Sequence, residues 1–328
     1  MIKIPEKVLK PLDYIYVLRP SLFFAVWIIT LAGYEASHLF YTGQSTWFKT
    51  SLDFSALFIF TLITLASGAL FIFNQLQDVE SDKENKKCFL ISEDHVKPEF
   101  AKKYGLILAI VPLLIFLFID FKIFILMMIL ELLWGYLYNY PPFRWKDKPI
   151  MGVLTNLMAG VILFLVGWQM NGEIVIPSLY KFLPYLCAWG AVSILTTVPD
   201  MAGDEKQTKN TIALWLGVQK TVIITLVLVI IGFVLGMKES DPVITHAILL
   251  SSPLYVITAF RPTKIWVLRT IRYSILFLAI FLVVEYPYFI IALGINYYLS
   301  RFYYMNRFNL EYPTLSVHEE DNENGQDQ

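Results

Sequence analysis

Residues 54–76, FSALFIFTLITLASGALFIFNQL, form an almost unbroken apolar run with amide side chains in its last turn, and residues 77–87, QDVESDKENKK, turn abruptly polar and charged. A run of about 20 apolar residues is what an α-helix needs to cross the hydrocarbon core of a bilayer. The stretch therefore reads as a membrane-crossing helix that delivers acidic side chains to one membrane surface. Comparable apolar runs occupy approximately 21–40, 104–120, 122–139, 152–170, 180–199, 219–238, 243–260, 266–284 and 287–304. The last two are separated only by Glu285-Tyr286-Pro287, so they make either a tight hairpin or one broken span. No barrel-type alternation appears, and helices are the other way to satisfy every backbone polar group in lipid. The expected fold is all-α: a polytopic transmembrane bundle of nine or ten helices.

Composition agrees. The 328 residues are 57% hydrophobic and only 16% charged, with a mean hydropathy of +0.58. A soluble domain carries roughly 25% charged residues. With 26 Lys+Arg against 27 Asp+Glu, no basic excess exists for a phosphate backbone, which excludes nucleic-acid binding as the main task. Two cysteines exclude a disulfide scaffold. Lys and Arg gather in alternate connections: ahead of the first run, between Lys83 and Lys103, around Arg144–Lys148, around Lys206–Lys220 and around Arg261–Arg272. The positive-inside rule makes that side cytoplasmic, in a bacterial or archaeal cell membrane. The first apolar run lacks a small-residue cleavage site, so no cleavable leader is expected. The organisation expected is an interfacial segment over 1–18, a transmembrane domain over 19–307, and an acidic disordered tail over 308–328.

Two acidic segments carry the chemistry. In the first, Asn74, Asp78 and Asp82 stand at i, i+4 and i+8, one face of a helix continuing from the 54–76 run. In the second, Val198-Pro199-Asp200-Met201-Ala202-Gly203-Asp204-Glu205-Lys206, Asp200 and Asp204 are again four apart, at the basic-side end of another run. Like charges at this spacing repel, and at the mouth of an apolar bundle they also lose solvation. Taken singly, either pair passes for solvated loop charge. Two of them, each closing a span on the same membrane side, call for a compensating cation. Mg²⁺ suits them, since it takes one or two carboxylates, waters and phosphate oxygens. Four aspartates could hold two such ions and leave positions open for a diphosphate. Zinc is disfavoured because no His/Cys cluster has ligand spacing.

A third element, Tyr138-Asn139-Tyr140-Pro141-Pro142-Phe143-Arg144-Trp145-Lys146, stops a helix at the proline pair and presents Arg144 and Lys146 on the side of the aspartates. Arginine offers phosphate a two-pronged fork and lysine a mobile point charge. A plain positive-inside anchor is the competing reading of this loop.

The three elements together resemble the UbiA superfamily of intramembrane prenyltransferases. Its N-[DQ]-x-x-D-x-x-x-D motif is matched by Asn74, Gln75, Asp78 and Asp82. Its Y-[SN]-x-P-P-x-R-x-K motif is matched by Tyr138, Asn139, Pro141, Pro142, Arg144 and Lys146. Its D-x-x-G-D motif, with the trailing T-[LIF] and L-G, is matched by Asp200, Gly203, Asp204, Thr211, Ile212, Leu216 and Gly217. The resemblance implies a helical bundle around a central cavity and Mg²⁺-dependent transfer of a prenyl group from its diphosphate to a lipophilic or aromatic acceptor. It implies Asp78, Asp82, Asp200 and Asp204 as metal ligands. Asn74 becomes a neutral ligand or hydrogen-bonding partner. Arg144 and Lys146, with Lys83 and Lys206, hold the diphosphate, and Tyr138 faces the phosphate or the developing cation.

The wording of the first motif is similar to the homogentisate-prenylating branch, which leans the acceptor toward an aromatic ring. Two departures bear on that lean. Lys87-Cys88-Phe89-Leu90-Ile91-Ser92 lacks the Pro and Gly of the family's [RL]-P-[LI]-x-x-G stretch, and Thr208 stands where a Gly usually follows the second acidic motif. The alternatives are transfer to a glycerol-phosphate or sugar-phosphate lipid, a non-catalytic paralogue that only binds prenyl diphosphate, and a transporter. Glu131, in mid-span, is a functional candidate because carboxylates are costly there, with a structural hydrogen bond as the competing role. Asn156 is a further candidate for lining a cavity.

Overall fold

The computed structural model describes residues 6–43, 52–84, 89–206 and 209–314. Residues 1–5, Lys86, Lys87, Cys88, Thr208 and the 315–328 part of the acidic tail lie outside the described residues. The described residues contain helices and connecting turns and no strand. The helices are α1 (Glu6–Tyr16), α2 (Phe23–Thr42), α3 (Phe54–Gln77), α4 (Val79–Glu84), α5 (Phe89–Ser92), α6 (Pro98–Ile119) and α7 (Phe121–Leu130). They continue with α8 (Pro149–Gln169), α9 (Ile176–Leu195), α10 (Met201–Lys206), α11 (Ile212–Leu216), α12 (Val218–Lys238), α13 (Pro242–Phe260), α14 (Lys264–Glu285) and α15 (Phe289–Phe308).

Among the described residues, eight segments are long and apolar enough to cross a membrane: Leu9–Thr42, α3, α6, α8, α9, α12, α13 and α14. The other two apolar runs are helical as well. Run 122–139 is divided into α7 and a π-helical segment, Glu131–Leu137, and run 287–304 is helical from Phe289 onward as part of α15. Polar caps fix where the helices begin. Asp53 accepts from the Ala56 N–H at 2.7 Å at the start of α3, and Asp120 accepts from Lys122 and Ile123 N–H groups at the start of α7.

The chain forms two compact units. The first contains Met1–Trp27, Thr50–Tyr140 and Tyr288–Thr314. Here α1 docks on α15, although 290 residues separate Asp13 from Tyr303. Tyr16 stacks on Tyr303 with centroids 3.7 Å apart, and the buried Asp13 carboxylate accepts from the Tyr303 hydroxyl at 2.5 Å. Arg307 donates to both Asp13 oxygens at 3.1 Å. Both charges are withdrawn from water, with side-chain exposures of 8% and 2%. Breaking such a pair leaves one charge uncompensated, at a cost of about 3–5 kcal/mol. Asp13→Ala is therefore expected to lower the melting temperature of the detergent-purified protein by several degrees. A melting curve superimposable on wild type would remove the pair from the stabilising contacts.

The described parts of the second unit are residues 28–43, 141–206 and 209–287. Its α2 and α8 approach so closely that a Cβ at Gly33 would overlap the Phe164 carbonyl oxygen, and one at Gly167 the Thr30 carbonyl oxygen. Small residues at such crossings let backbones pack where lipid offers no hydrophobic drive between helices. Two buried carboxylates of this unit accept hydrogen bonds from tyrosine hydroxyls. Asp241 caps α13 by accepting from Val243 and Ile244 N–H groups and takes the Tyr185 hydroxyl at 3.0 Å, while Tyr286 donates to Glu35 at 2.7 Å.

Candidate active site

In the first unit, α3 does not run straight through the acidic segment. The chain leaves the helix at Asp78 (φ −112°, ψ 14°) and re-enters it at once as α4, with the Asp82 N–H donating to the Asp78 carbonyl at 2.7 Å. The continuous helical face expected for Asn74, Asp78 and Asp82 is thus broken at its middle member. At this junction the Asn74 side-chain nitrogen donates to Asp78 Oδ2 at 3.1 Å, holding the carboxylate against the last turn of α3. Asp78 serves both as the end of one helix and as the first carbonyl acceptor of the next, a position aspartate favours.

Asn74 is itself held. The same nitrogen donates to Asn139 Oδ1 at 2.9 Å, and Asn139 spends its own amide nitrogen on the Trp134 and Gly135 carbonyls, at 2.8 and 3.3 Å. Those carbonyls belong to the π-helical segment, whose i→i+5 pattern frees acceptors a regular helix would use. Asn139 is 1% exposed. It fixes Asn74, and Asn74 fixes Asp78. Gln75 takes a different part: 2% exposed, it donates to the Val17 and Phe71 carbonyls at 2.8 and 3.0 Å and ties the N-terminal segment to α3. Asp82 and Tyr138 are half-buried and Lys83 is exposed. Burial raises the Tyr140 hydroxyl pKa above its usual value, opposed by a hydrogen bond with Gln77. The stretch lacking the family's Pro and Gly is, from Phe89 to Ser92, the single turn α5, packed inward through Leu90, Ile91 and Ser92; the left-handed turn that follows falls on Asp94 (φ 59°).

In the second unit, Arg144 adopts a left-handed backbone (φ 36°, ψ 54°) and its Nε donates to Asp147 Oδ2 at 2.7 Å. A non-glycine residue held there costs of order 1–3 kcal/mol and is found where surrounding structure imposes it. With Nε engaged by Asp147, the side chain is oriented from its base. The Asp147 carbonyl accepts from the Asn210 N–H at 3.2 Å, so this loop is tied to the segment after the second acidic motif.

That motif folds as expected for its spacing. Asp200 starts α10, its carbonyl accepting from Gly203 and Asp204 N–H groups at 3.1 and 2.9 Å, which stacks the two aspartates one turn apart. Asp200 is exposed and Asp204 half-buried, with Lys209 Nζ 3.7 Å from Asp204 Oδ1. Lys206 is exposed and Lys146 half-buried. Gly217, between α11 and α12, has φ 78°, so a side chain there would be strained. Asn156 contributes its carbonyl to the Trp189 indole N–H at 2.8 Å.

Asn139, Asp147 and Lys209 are therefore structural members of these clusters that residue type and spacing did not single out. Asn139 was visible as a motif match, yet nothing in the sequence indicated that it bonds a residue 65 positions away. Among the described residues no group of three or more His, Cys, Asp or Glu side chains could by itself hold a metal ion. Each unit instead supplies aspartates spaced one turn apart. Such a donor set fits Mg²⁺, whose remaining positions are filled by water and phosphate oxygens.

The sequence profile of the UbiA prenyltransferase family matches residues 21–281. The chain belongs to this family. One UbiA relative, the chloroplastic 2-acyl-4-prenylphloroglucinol 6-prenyltransferase of Humulus lupulus, is 29% identical over 227 residues, 66% of this chain and 53% of the relative. Digeranylgeranylglyceryl phosphate synthase of Sulfolobus acidocaldarius is 27% identical over 191 residues, 56% of this chain and 64% of that protein. The chain thus spans between about half and two thirds of these curated relatives. Among solved structures, a UbiA homolog from Archaeoglobus fulgidus bound to GPP and Mg²⁺ superposes with a TM-score of 0.61 at 21% identity, covering 83% of this chain and 99% of that one. At that identity the likeness speaks for the fold. With eight apolar helices and this membership, the UbiA protein described here is a multi-pass integral membrane protein.

Proposed function

We propose that this UbiA protein catalyses Mg²⁺-dependent transfer of a prenyl group from a prenyl diphosphate to an aromatic acceptor within the membrane. The observation that carries the reading is the Asn139–Asn74–Asp78 chain, at 2.9 and 3.1 Å. A carboxylate that accepts from a neutral amide has further lone pairs to offer a cation. The reading is supported by the family match and by the GPP and Mg²⁺ bound to the A. fulgidus homolog.

In the reaction, the allylic C–O bond breaks and its electron pair leaves with diphosphate. A bond forms between the allylic carbon and the acceptor, which gives up a proton. Asp78, Asp82, Asp200 and Asp204 would hold Mg²⁺, which when bound neutralises charge on the diphosphate oxygens. Arg144 and Lys146, with Lys83 and Lys206, would bind the diphosphate, and Tyr138 would face it or the allylic cation. Apolar walls keep water from capturing that cation. The basic connections carrying these residues would face the cytoplasm.

Transfer to a glycerol-phosphate lipid is the second reading, favoured by the likeness to the S. acidocaldarius synthase. Incubating the purified protein with geranylgeranyl or geranyl diphosphate, Mg²⁺ and phenolic or glycerol-phosphate acceptors is expected to give prenylated product that EDTA abolishes. Product polarity separates the two acceptors. Absence of product and of Mg²⁺-dependent diphosphate release across the panel would overturn the proposal.

A further inference from the structure

In the second unit, just after α10, two residues meet twice. The Lys209 N–H donates to the Asp204 carbonyl at 3.0 Å, and Lys209 Nζ lies 3.7 Å from Asp204 Oδ1. Little of either side chain faces water, with exposures of 19% and 16%. The next residue is fixed as well: the Asn210 N–H donates to the carbonyl of Asp147, whose Oδ2 accepts from Arg144 Nε. Backbone bonds at both positions therefore hold the lysine beside the second acidic motif. Lys209 occupies none of the motif positions matched in the sequence.

An ammonium at this distance offsets the Asp204 charge. A divalent cation directed to the same carboxylate meets it as a like charge, and ions this far out of water are screened less than exposed ones. The metal gains Asp204 as the ammonium gives way. Lysine suits such a part, being a point charge on a flexible stem with rotatable donors. A diphosphate reverses the balance: its oxygens accept from the ammonium, which releases the carboxylate and adds a cation to those holding the anion. The diphosphate also completes the metal's coordination, since no group of three or more His, Cys, Asp or Glu among the described residues could do so.

We propose that Lys209 is the resident counter-cation of Asp204, opposing Mg²⁺ at the second acidic motif until a diphosphate arrives and so coupling the two ligands. The inference rests on the prenyl-transfer reading for the identity of metal and anion. It concerns the order in which they are bound, and the coupling is reciprocal: each ligand raises affinity for the other by the same factor.

The test is calorimetric titration of the full-length detergent-purified protein at fixed ionic strength with Mg²⁺ alone, metal-free inorganic pyrophosphate alone, and both together. Lys209→Met is expected to bind Mg²⁺ alone more tightly and pyrophosphate alone more weakly, and to lower the cooperative factor by about fivefold or more, the lower end of common couplings. Lys209→Arg keeps the charge and should follow wild type. A lysine that only ties down the end of α10 would move both affinities in one direction or neither. Unchanged or weakened Mg²⁺ binding in Lys209→Met overturns the inference. Lys209→Gln removes the same charge if the Met variant aggregates, and aggregation of both would assign Lys209 to stability and overturn it too. A wild type that binds no Mg²⁺, alone or with pyrophosphate, sinks this inference and the prenyl-transfer reading together. Unaltered affinities in variants of a wild type that makes prenylated product sink the inference alone; opposite shifts without product keep the coupling and sink the transfer reading.

Discussion

Asp78→Ala and Asp200→Ala are each expected to reduce prenyl transfer by 10²-fold or more while leaving the protein folded. Removing one preorganised group that stabilises charge on reacting oxygens costs on the order of 10²–10³ in rate. Loss of the Asp78 carboxylate also removes one of the two acceptors of the Asn74 amide nitrogen, Asn139 Oδ1 being the other. Asp200→Ala removes an exposed carboxylate while keeping the backbone carbonyl that starts α10, so its effect on stability should be small. Surface substitutions of this kind usually change stability by less than 0.5 kcal/mol. If both pairs act on the same diphosphate, the double variant should lose far less than the product of the single losses, because groups that act as a unit are non-additive. Diphosphate release by stopped assay and folding by size-exclusion profile are the two measurements. Near-wild-type turnover in either variant would remove that residue from the site.

The second large effect concerns folding. Gly33→Val and Gly167→Val place branched carbons where a mere Cβ already overlaps the Phe164 or Thr30 carbonyl oxygen. The obstacle is main chain on both sides, so no side-chain rotation relieves it. The helices must separate, which exposes buried Leu31, Ala32, Leu163 and Val166. Overpacking commonly costs 1–3 kcal/mol and more when backbone must move. The expected result is a loss of about 3 kcal/mol or more, read as aggregation on size-exclusion chromatography or a sharply lowered melting temperature. Gly33→Ala should show a smaller loss in the same direction. A Gly33→Val protein that is monodisperse and melts with wild type would contradict the close approach of α2 and α8.

These two predictions draw on different kinds of information. Asp78 and Asp200 stand out in the sequence, because carboxylates ending apolar runs are conspicuous against their surroundings. Gly33 and Gly167 do not, because a glycine in a membrane helix has many possible uses and only the facing carbonyl identifies this one. Gln75 illustrates the same limit: as a motif position it reads like Asn74, yet it is packed against the Val17 carbonyl and serves the N-terminal segment. Likewise the i, i+4, i+8 reading of Asn74, Asp78 and Asp82 assumed an unbroken helix, whereas α3 ends at Gln77 and Asp78 leaves helical geometry before α4 begins.

By itself the sequence determined the membrane class, the helical architecture, the family and the chemical character of the candidate site. Those follow from run length, residue type and short-range spacing, all of which are local along the chain. Tertiary structure alone decided that Asn139 steers Asn74, that Asp147 orients Arg144 and joins its loop to Asn210, and that Lys209 approaches Asp204. Each of these depends on which turn of one helix lies beside which turn of another, a register set by side-chain packing across many residues at once, and no single stretch of sequence encodes it.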